Sequence, residues 1–279
     1  AVEKDVCVLF ADGLRFDIAG MLKERLEAKG FRTGLSHRLS PLPTVTATAK
    51  PFATVVHDLL QGGADVIDFN PQLKGGAQSV TAQKLRDEMA KRGMDILGDE
   101  TRPPKTGTTG AWVETDRLDE LGHKIQAQLA AHLDTEIETL VDQITGLLEC
   151  GWLRVRVVTD HGWLLLPGGL PRVDLPAYLA ATKWARCATV KGDSKPSMPI
   201  HSWHWNVHVR IASPPGVACF TAENEYAHGG VSPQECIVPD LVVERGGAST
   251  AAMIASVTWR GMRCRVSVTT NDPSVRVDL

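Results

Sequence analysis

No run of about 18 apolar residues occurs anywhere in this chain, so no helical membrane span is expected. No basic segment followed by an apolar stretch is found near its start, so the signature of a secretory signal is missing. No C-x-x-C pair occurs among the six cysteines, at positions 7, 150, 187, 219, 236 and 264. That spacing suits neither a zinc ribbon nor a dense disulfide framework, and reduced, mostly buried thiols in a cytoplasmic protein are expected. There is no excess of positive charge either. Against 33 acidic side chains stand 30 Lys and Arg, a net charge of −3. A broad nucleic-acid footprint is therefore not expected, and any phosphate recognition has to be local. No internal repeat and no low-complexity tract is found.

What is present is an ordinary globular composition, 43% apolar and 23% charged, over 279 residues, enough for one large core or one core with an appendage. Ala1 and a charged Glu3-Lys4-Asp5 lead directly into a core-like strand, so a longer parent chain is expected. Residues 6–10, "VCVLF", form a continuous apolar run of the kind buried on both faces of a sheet. After the polar "ADG", Ile18, Met21, Leu22 and Leu26 share one helical face, and Gly30 supplies the stop. This is how a βαβ unit begins.

A second helix is expected from Pro51 to Gly62-Gly63, and a helix-like "AQKLRDEMAKRG" lies between Gly-rich turns. Residues 102–110, "RPPKTGTTG", read as a loop or flap. One long helical pattern runs from about 119 to 149, carried by Ile125, Leu129, Leu133, Ile137, Leu140 and Ile144. Strands are expected at 153–158, 207–212, 216–220 and 240–244, and "SPQE" at 232–235 has the form of a capping box. Beyond Gly246-Gly247, alternation suggests a half-exposed antiparallel ribbon with Arg263 and Arg265 on one solvated face.

Metal-type ligands stand at the ends of these elements. Asp12 follows the first strand, and Asp160-His161 follow the strand at 153–158. Asp119 and His123 lie four apart, which on a helix puts them on one face. His228 precedes the capping box. Loops at the carboxyl ends of strands converge on one crevice, so Asp12 and Asp160-His161 can meet there. Carboxylates with neutral imidazoles suit zinc or a similar divalent ion. Singly, each is an ordinary loop or cap residue. His201, His204 and His208, among Trp203 and Trp205, are assigned to a packed loop or strand, and His132 to a helix surface. His37 and His57 have no spacing that argues for chemistry. Lys50 is either a phosphate contact or a solvated helix start.

Five blocks occur in order: "LFADGLRFD" (9–17), "LPTVTATAKP" (42–51), "DELGH" (119–123), "VVTDHG" (157–162) and "HGGVSPQE" (228–235). In that order they resemble the PglZ family, a branch of the alkaline phosphatase superfamily, across roughly residues 5–245. The fold this implies is an alkaline-phosphatase-like α/β sandwich with a largely parallel central sheet flanked by helices. It would occupy residues 1–245, with 63–110 as a flap or cap insertion and 246–279 as the start of a small C-terminal β region.

The resemblance further implies a two-metal phosphoryl-transfer centre. One ion would be held by Asp12, Thr46, Asp160 and His161, the other by Asp119, His123 and His228. Zinc is expected, though a carboxylate-rich site also accepts manganese or magnesium. Thr46, the second hydroxyl of the P-T-x-T stretch, becomes the nucleophile, with Thr44 in reserve, through a covalent phosphothreonine intermediate. A sulfatase, which needs Cys or Ser there, is not expected. The implied function is a phosphodiesterase or nuclease-like phosphoesterase of BREX-type phage defence, acting on a nucleotide or nucleic acid beside other defence-system proteins. A phosphomonoesterase and a catalytically silent scaffold subunit are the alternatives.

Overall fold

The apolar run at residues 6–11 becomes the inner strand of a six-stranded sheet, and its composition follows from burial on both faces. The computed structural model describes residues 4–63, 68–98, 101–179, 184–192, 194, 197–222, 224–246, 252–261 and 263–270. In chain order the sheet's strands are β1 (Val6–Ala11), β2 (Arg32–Leu39), β3 (Met94–Ile96), β4 (Gly110–Thr115), β5 (Arg154–Val158) and β6 (Ile237–Glu244). They lie in the order β2-β6-β5-β1-β4-β3. Strands β5, β1, β4 and β3 are mutually parallel, and β6 runs antiparallel between β5 and β2.

Helices cover both faces. Helices α1 (Phe16–Ala28), α4 (Arg117–Ile125) and α5 (Leu129–Glu149) pack on the face that carries Cys7, Leu9 and Ala11. Ile18, Leu22 and Leu26 are buried there as the spacing predicts, while Met21 is left 39% exposed. The opposite face, with Phe10, Trp112 and Val158, is covered by α3 (Ala82–Lys91) through Leu85 and Met89. A small antiparallel sheet of Ala188–Thr189, Ile200–Trp203 and Asn206–Ala212 belongs to the same unit, residues 1–244. Residues 245–279 form a second unit, an antiparallel hairpin of β7 (Ala252–Arg260) and β8 (Arg263–Thr270). Arg263 and Arg265 are exposed on it. This is a mixed α/β fold with a mostly parallel central sheet, flanking helices and a C-terminal strand pair.

Several local expectations are corrected. The helix expected from Pro51 is α2 (Thr46–Ala53), which starts five residues earlier and carries Pro51 near its end. The long pattern at 119–149 is two helices, because Gln126 takes φ +53° and its side-chain oxygen accepts the N–H groups of Glu225 and Tyr226 at 2.9 and 3.0 Å. Residues 216–220 form no strand. Only Cys219 makes a single bridge, to Arg172. Strands β2 and β4 had no sequence expectation. The stretch 63–110 contributes α3 and β3 to the sheet unit, and its residues 64–67 and 99–100 lie outside those described, as does Gly247. All six cysteines are free, three of them buried and Cys264 exposed.

Candidate metal centre

Register alone brings the first carboxylates together. Phe10 of β1 lies opposite Val158 of β5, so Asp12 and Asp160, each two residues further on, leave neighbouring parallel strands at the same level. On the other side Ala11 pairs with Thr115 of β4, and α4 begins two residues later, presenting Asp119 and His123 one turn apart. Three carboxylates thus converge from the carboxyl ends of three adjacent strands. His161 follows Asp160, and His228 comes from the loop before β6.

The ligand atoms form two groups, Asp119 with His123 and His228, and Asp12 with Asp119 and His161, each within 4.8 Å. His123 Nε2 lies 3.1 Å from His228 Nε2, and the Asp119 oxygens lie 3.5 and 3.7 Å from those nitrogens. His161 Nε2 lies 3.6 Å from Asp12 Oδ1 and 3.5 Å from Asp160 Oδ2. The rings of His161 and His228 are stacked at 3.8 Å, 11° from parallel. Thr46 Oγ1, in the first turn of α2, lies 3.0 Å from His161 Nε2.

Hydrogen bonds aim these atoms. The Nδ1 groups of His161 and His228 donate to the carbonyls of Gly162 (3.1 Å) and Thr44 (3.0 Å), which leaves each Nε2 lone pair facing the cluster. Asp160 Oδ1 accepts from the His161 N–H (2.9 Å) and the Thr159 hydroxyl (3.2 Å), so Oδ2 is the oxygen turned inward. Tyr226 donates to Asp119 Oδ1 at 2.7 Å. A Cβ at residue 122 would lie 2.3 Å from the Tyr226 ring, so only Gly122 admits that ring beside α4.

Asp12 Oδ1 and Asp160 Oδ2 are buried and have no hydrogen-bond partner among the described residues. Burial, and then the charges of Asp160 and Asp119, push the Asp12 carboxyl well above the usual range. Burial would also raise Asp119, but His228, His161 and His123 outweigh it and hold it low. Burial, and then His161, depress His228 to about 4, so its ring is neutral at pH 7. Orphaned carboxylate oxygens beside neutral imidazole lone pairs are the donor set of a divalent cation, and the residues present fit one.

All seven residues singled out in the sequence are gathered here. The other two threonines of the 44–48 stretch are turned elsewhere. Thr44 is buried, donating to Gly230 O (2.8 Å) and accepting from Gly229 N (3.1 Å). Thr48 donates to Phe69 O (3.1 Å) and accepts from Trp203 Nε1 (2.9 Å). Lys50 is not a solvated helix start, because its ammonium is paired with Glu114 at 2.9 Å and is mostly covered. His201 bonds Ser213, and His204 packs edge-on against Phe52.

Sequence reading missed Tyr226 and Arg186. The Arg186 guanidinium, fully buried, is bidentate to Glu235 at 2.8 and 2.9 Å and also donates to the carbonyls of Ala218 and Gly216. Glu235 in turn accepts from the N–H groups of Gly230 (2.8 Å) and Ser232 (3.1 Å), so the pair clasps the loop that presents His228. The capping box signalled Glu235, but nothing local signalled its partner 49 residues away.

No family model and no curated protein matches the chain. Among solved structures it is similar to human ectonucleotide pyrophosphatase/phosphodiesterase 5, at 10% identity and TM-score 0.55 over 86% of this chain and 87% of that one. The murine protein matches at 12% identity and 0.52, over 86% and 87%. An inactive threonine-to-alanine variant of the murine protein, in complex with AMP, matches at 11% and 0.50, over 87% and 88%. What is shared at these identities is the fold, and this chain has the alkaline-phosphatase-like α/β fold of those phosphodiesterases.

Proposed function

We propose that the chain is a metal-dependent phosphodiesterase or nuclease-like phosphoesterase that uses Thr46 as its nucleophile. The observation that carries this reading is the pair of orphaned, buried oxygens on Asp12 and Asp160, both within 3.6 Å of His161 Nε2, with Thr46 Oγ1 3.0 Å from the same nitrogen. Asp12, Thr46, Asp160 and His161 would hold one divalent ion, and Asp119, His123 and His228 another, zinc in first place with manganese or magnesium also suited to the donors. Bound ions there supply Lewis-acid stabilisation of the attacking and leaving oxygens of an in-line displacement.

The chain's own residues do the rest. The start of α2 fixes Thr46 at the edge of the cluster, where the unpaired amides of a helix N-terminus favour a phosphate. Thr44 locks the His228 tautomer and closes the loop behind it, so it serves as a clip and not as a reserve nucleophile. A diester is favoured over a monoester because Lys50 is held by Glu114 and Arg186 by Glu235, which keeps these two cations from a dianionic phosphate.

The AMP held by the murine neighbour supports a nucleotide or nucleic acid as substrate. The five ordered blocks support a PglZ-type protein of BREX phage defence, working in the cytoplasm beside other defence proteins. No helix among the described residues is long and apolar enough to cross a membrane. The test is turnover of bis(p-nitrophenyl) phosphate and of p-nitrophenyl phosphate by zinc- or manganese-loaded protein. Diester hydrolysis that disappears in Thr46→Ala, with bound metal largely retained, is the expected result. A monoester preference would make it a phosphatase, and metal without turnover a scaffold.

A further inference from the structure

The sheet face that α3 covers on one side is lined with arginine on the other. Side chains of β5 alternate, so Arg154 and Arg156 share the face of Val158 and Phe10, while Val155 and Val157 enter the opposite core. Register carries this face across β6 and β2. Glu244 lies opposite both Arg154 and Arg32, and Asp240 lies opposite Val158 and Ser36, two residues from Arg38. Four guanidiniums are thus set around two carboxylates. Arg156 is bidentate to Asp240 at 2.8 and 2.6 Å, and Arg38 Nε stands 3.4 Å from the same carboxylate. Arg154 meets Glu244 Oε1 at 2.6 Å, and Arg32 Nε donates to Oε2 at 3.0 Å.

Four guanidiniums against two carboxylates leave this set an excess of two positive charges, and it meets solvent. The Arg32 side chain is 73% exposed, and those of Arg38, Arg154 and Arg156 are 34%, 40% and 39% exposed. Ion pairs so exposed contribute little and exchange readily for a phosphate, unlike the sealed pair of Arg186 and Glu235. The carboxylates meanwhile spread the guanidinium forks across the sheet, and such forks match phosphate oxygens. The set also has a direction. Strands β2 and β5 both run antiparallel to β6, so Arg38 and Asp160 come at the same end of the sheet. They line one small cavity with Ala49 and Phe52 of α2, the helix that Thr46 opens. From Arg32 to Arg38 the strip runs about 20 Å, and its Arg38 end abuts the candidate centre.

We propose that this strip binds the phosphate backbone of a polynucleotide strand and leads it to the metal centre, so that the substrate is a nucleic acid chain and not a free nucleotide. The proposal rests on the phosphoesterase reading above and names the substrate class for that site. The chain as a whole is slightly acidic, so phosphate recognition has to be concentrated, and the strip concentrates it. One guanidinium fork suffices for a single phosphate, whereas four spread over about 20 Å suit a repeating anion. A strip that ends beside a phosphoester-cleaving centre favours a polyphosphodiester over an acidic polypeptide, for which that centre has no chemistry.

The experiment titrates fluorescein-labelled single-stranded DNA of about 30 nucleotides with the full chain carrying Thr46→Ala, which blocks cleavage, and follows anisotropy from about 50 to 200 mM salt. With all four arginines engaged, the logarithm of the binding constant should fall against that of salt with a slope of about −3. Arg32→Gln together with Arg154→Gln should weaken binding roughly tenfold and bring the slope to about −1.5. Glu244→Gln, which keeps every arginine and removes an anion, should tighten binding severalfold. Arg25→Gln, on α1 at the opposite face, should leave it unchanged. Affinity indifferent to the double substitution, or looser binding in Glu244→Gln, would overturn the strip. Competition by poly-L-glutamate as effective as by unlabelled DNA would overturn it too, making this a site for acidic protein. Wild-type hydrolysis of bis(p-nitrophenyl) phosphate, measured alongside, separates the two readings. If it persists while the strip fails, the phosphoesterase reading stands alone. If the wild type hydrolyses neither that ester nor the strand, that reading falls and this proposal with it.

Discussion

At the scale of single residues, two oxygen atoms decide how the site is understood. A buried carboxylate oxygen without a partner is costly. Two such oxygens, on Asp12 and Asp160, lie within 3.6 Å of one imidazole nitrogen, His161 Nε2. Tyr226 shows how the second ligand group is kept in shape, because its hydroxyl fixes one Asp119 oxygen and its ring seats against Gly122. Tyr226→Phe should therefore weaken metal binding roughly tenfold while costing about 1 kcal/mol of stability. Zinc titration by isothermal calorimetry checks this, and unchanged affinity would make the hydroxyl incidental. The six candidate Asp and His positions were legible because Asp and His at strand ends, four apart on a helix, or next to glycines are readable locally, whereas Thr46 entered only through the resemblance. Tyr226 was not legible, since a tyrosine two residues before a histidine carries no signal until folding sets it against α4.

At the scale of elements, the loop carrying His228 depends on a buried ion pair. Removing one partner of such a pair leaves the other charge uncompensated, and Glu235→Gln should cost about 3 kcal/mol. Burial would raise the Glu235 carboxyl, but the Arg186 hydrogen bonds and charge outweigh it and hold it below the ordinary 4.5. A carboxyl lowered on folding adds stability that is fully present above that ordinary value and is lost as pH falls through the folded one. The gap between wild type and Glu235→Gln in urea unfolding should then be wide at pH 7 and narrow at pH 3, whereas an equal gap at both would detach it from ionisation. The same distance in sequence explains what was not legible here. Periodicity carried straight through Gln126 because the bonds that break the helix go to Glu225 and Tyr226, a hundred residues on. Strand β2 escaped notice because its exposed edge position gives "RTGLSHRL" no apolar run, whereas β1 and β5, covered on both faces, announced themselves.

At the scale of the whole molecule, the parallel strands bring ligands from positions 12, 119 and 160 to one end of the sheet, and the loop before β6 adds position 228. Ions bound there, as proposed, would hold α4, β1, β5 and that loop together, and would bind the folded chain alone. With free zinc at about a thousand times the dissociation constant, this linkage contributes about 4 kcal/mol, or about 10 °C in the midpoint of thermal unfolding. A chelator should remove that increment, and a midpoint indifferent to chelation would place the metal outside the fold's support. The central claim, that these seven side chains are a two-ion centre, is tested most directly by elemental mass spectrometry of protein never exposed to chelator. The account predicts about two zinc or manganese ions per chain, falling to about one in Asp12→Asn; a chain that carries no metal would contradict it.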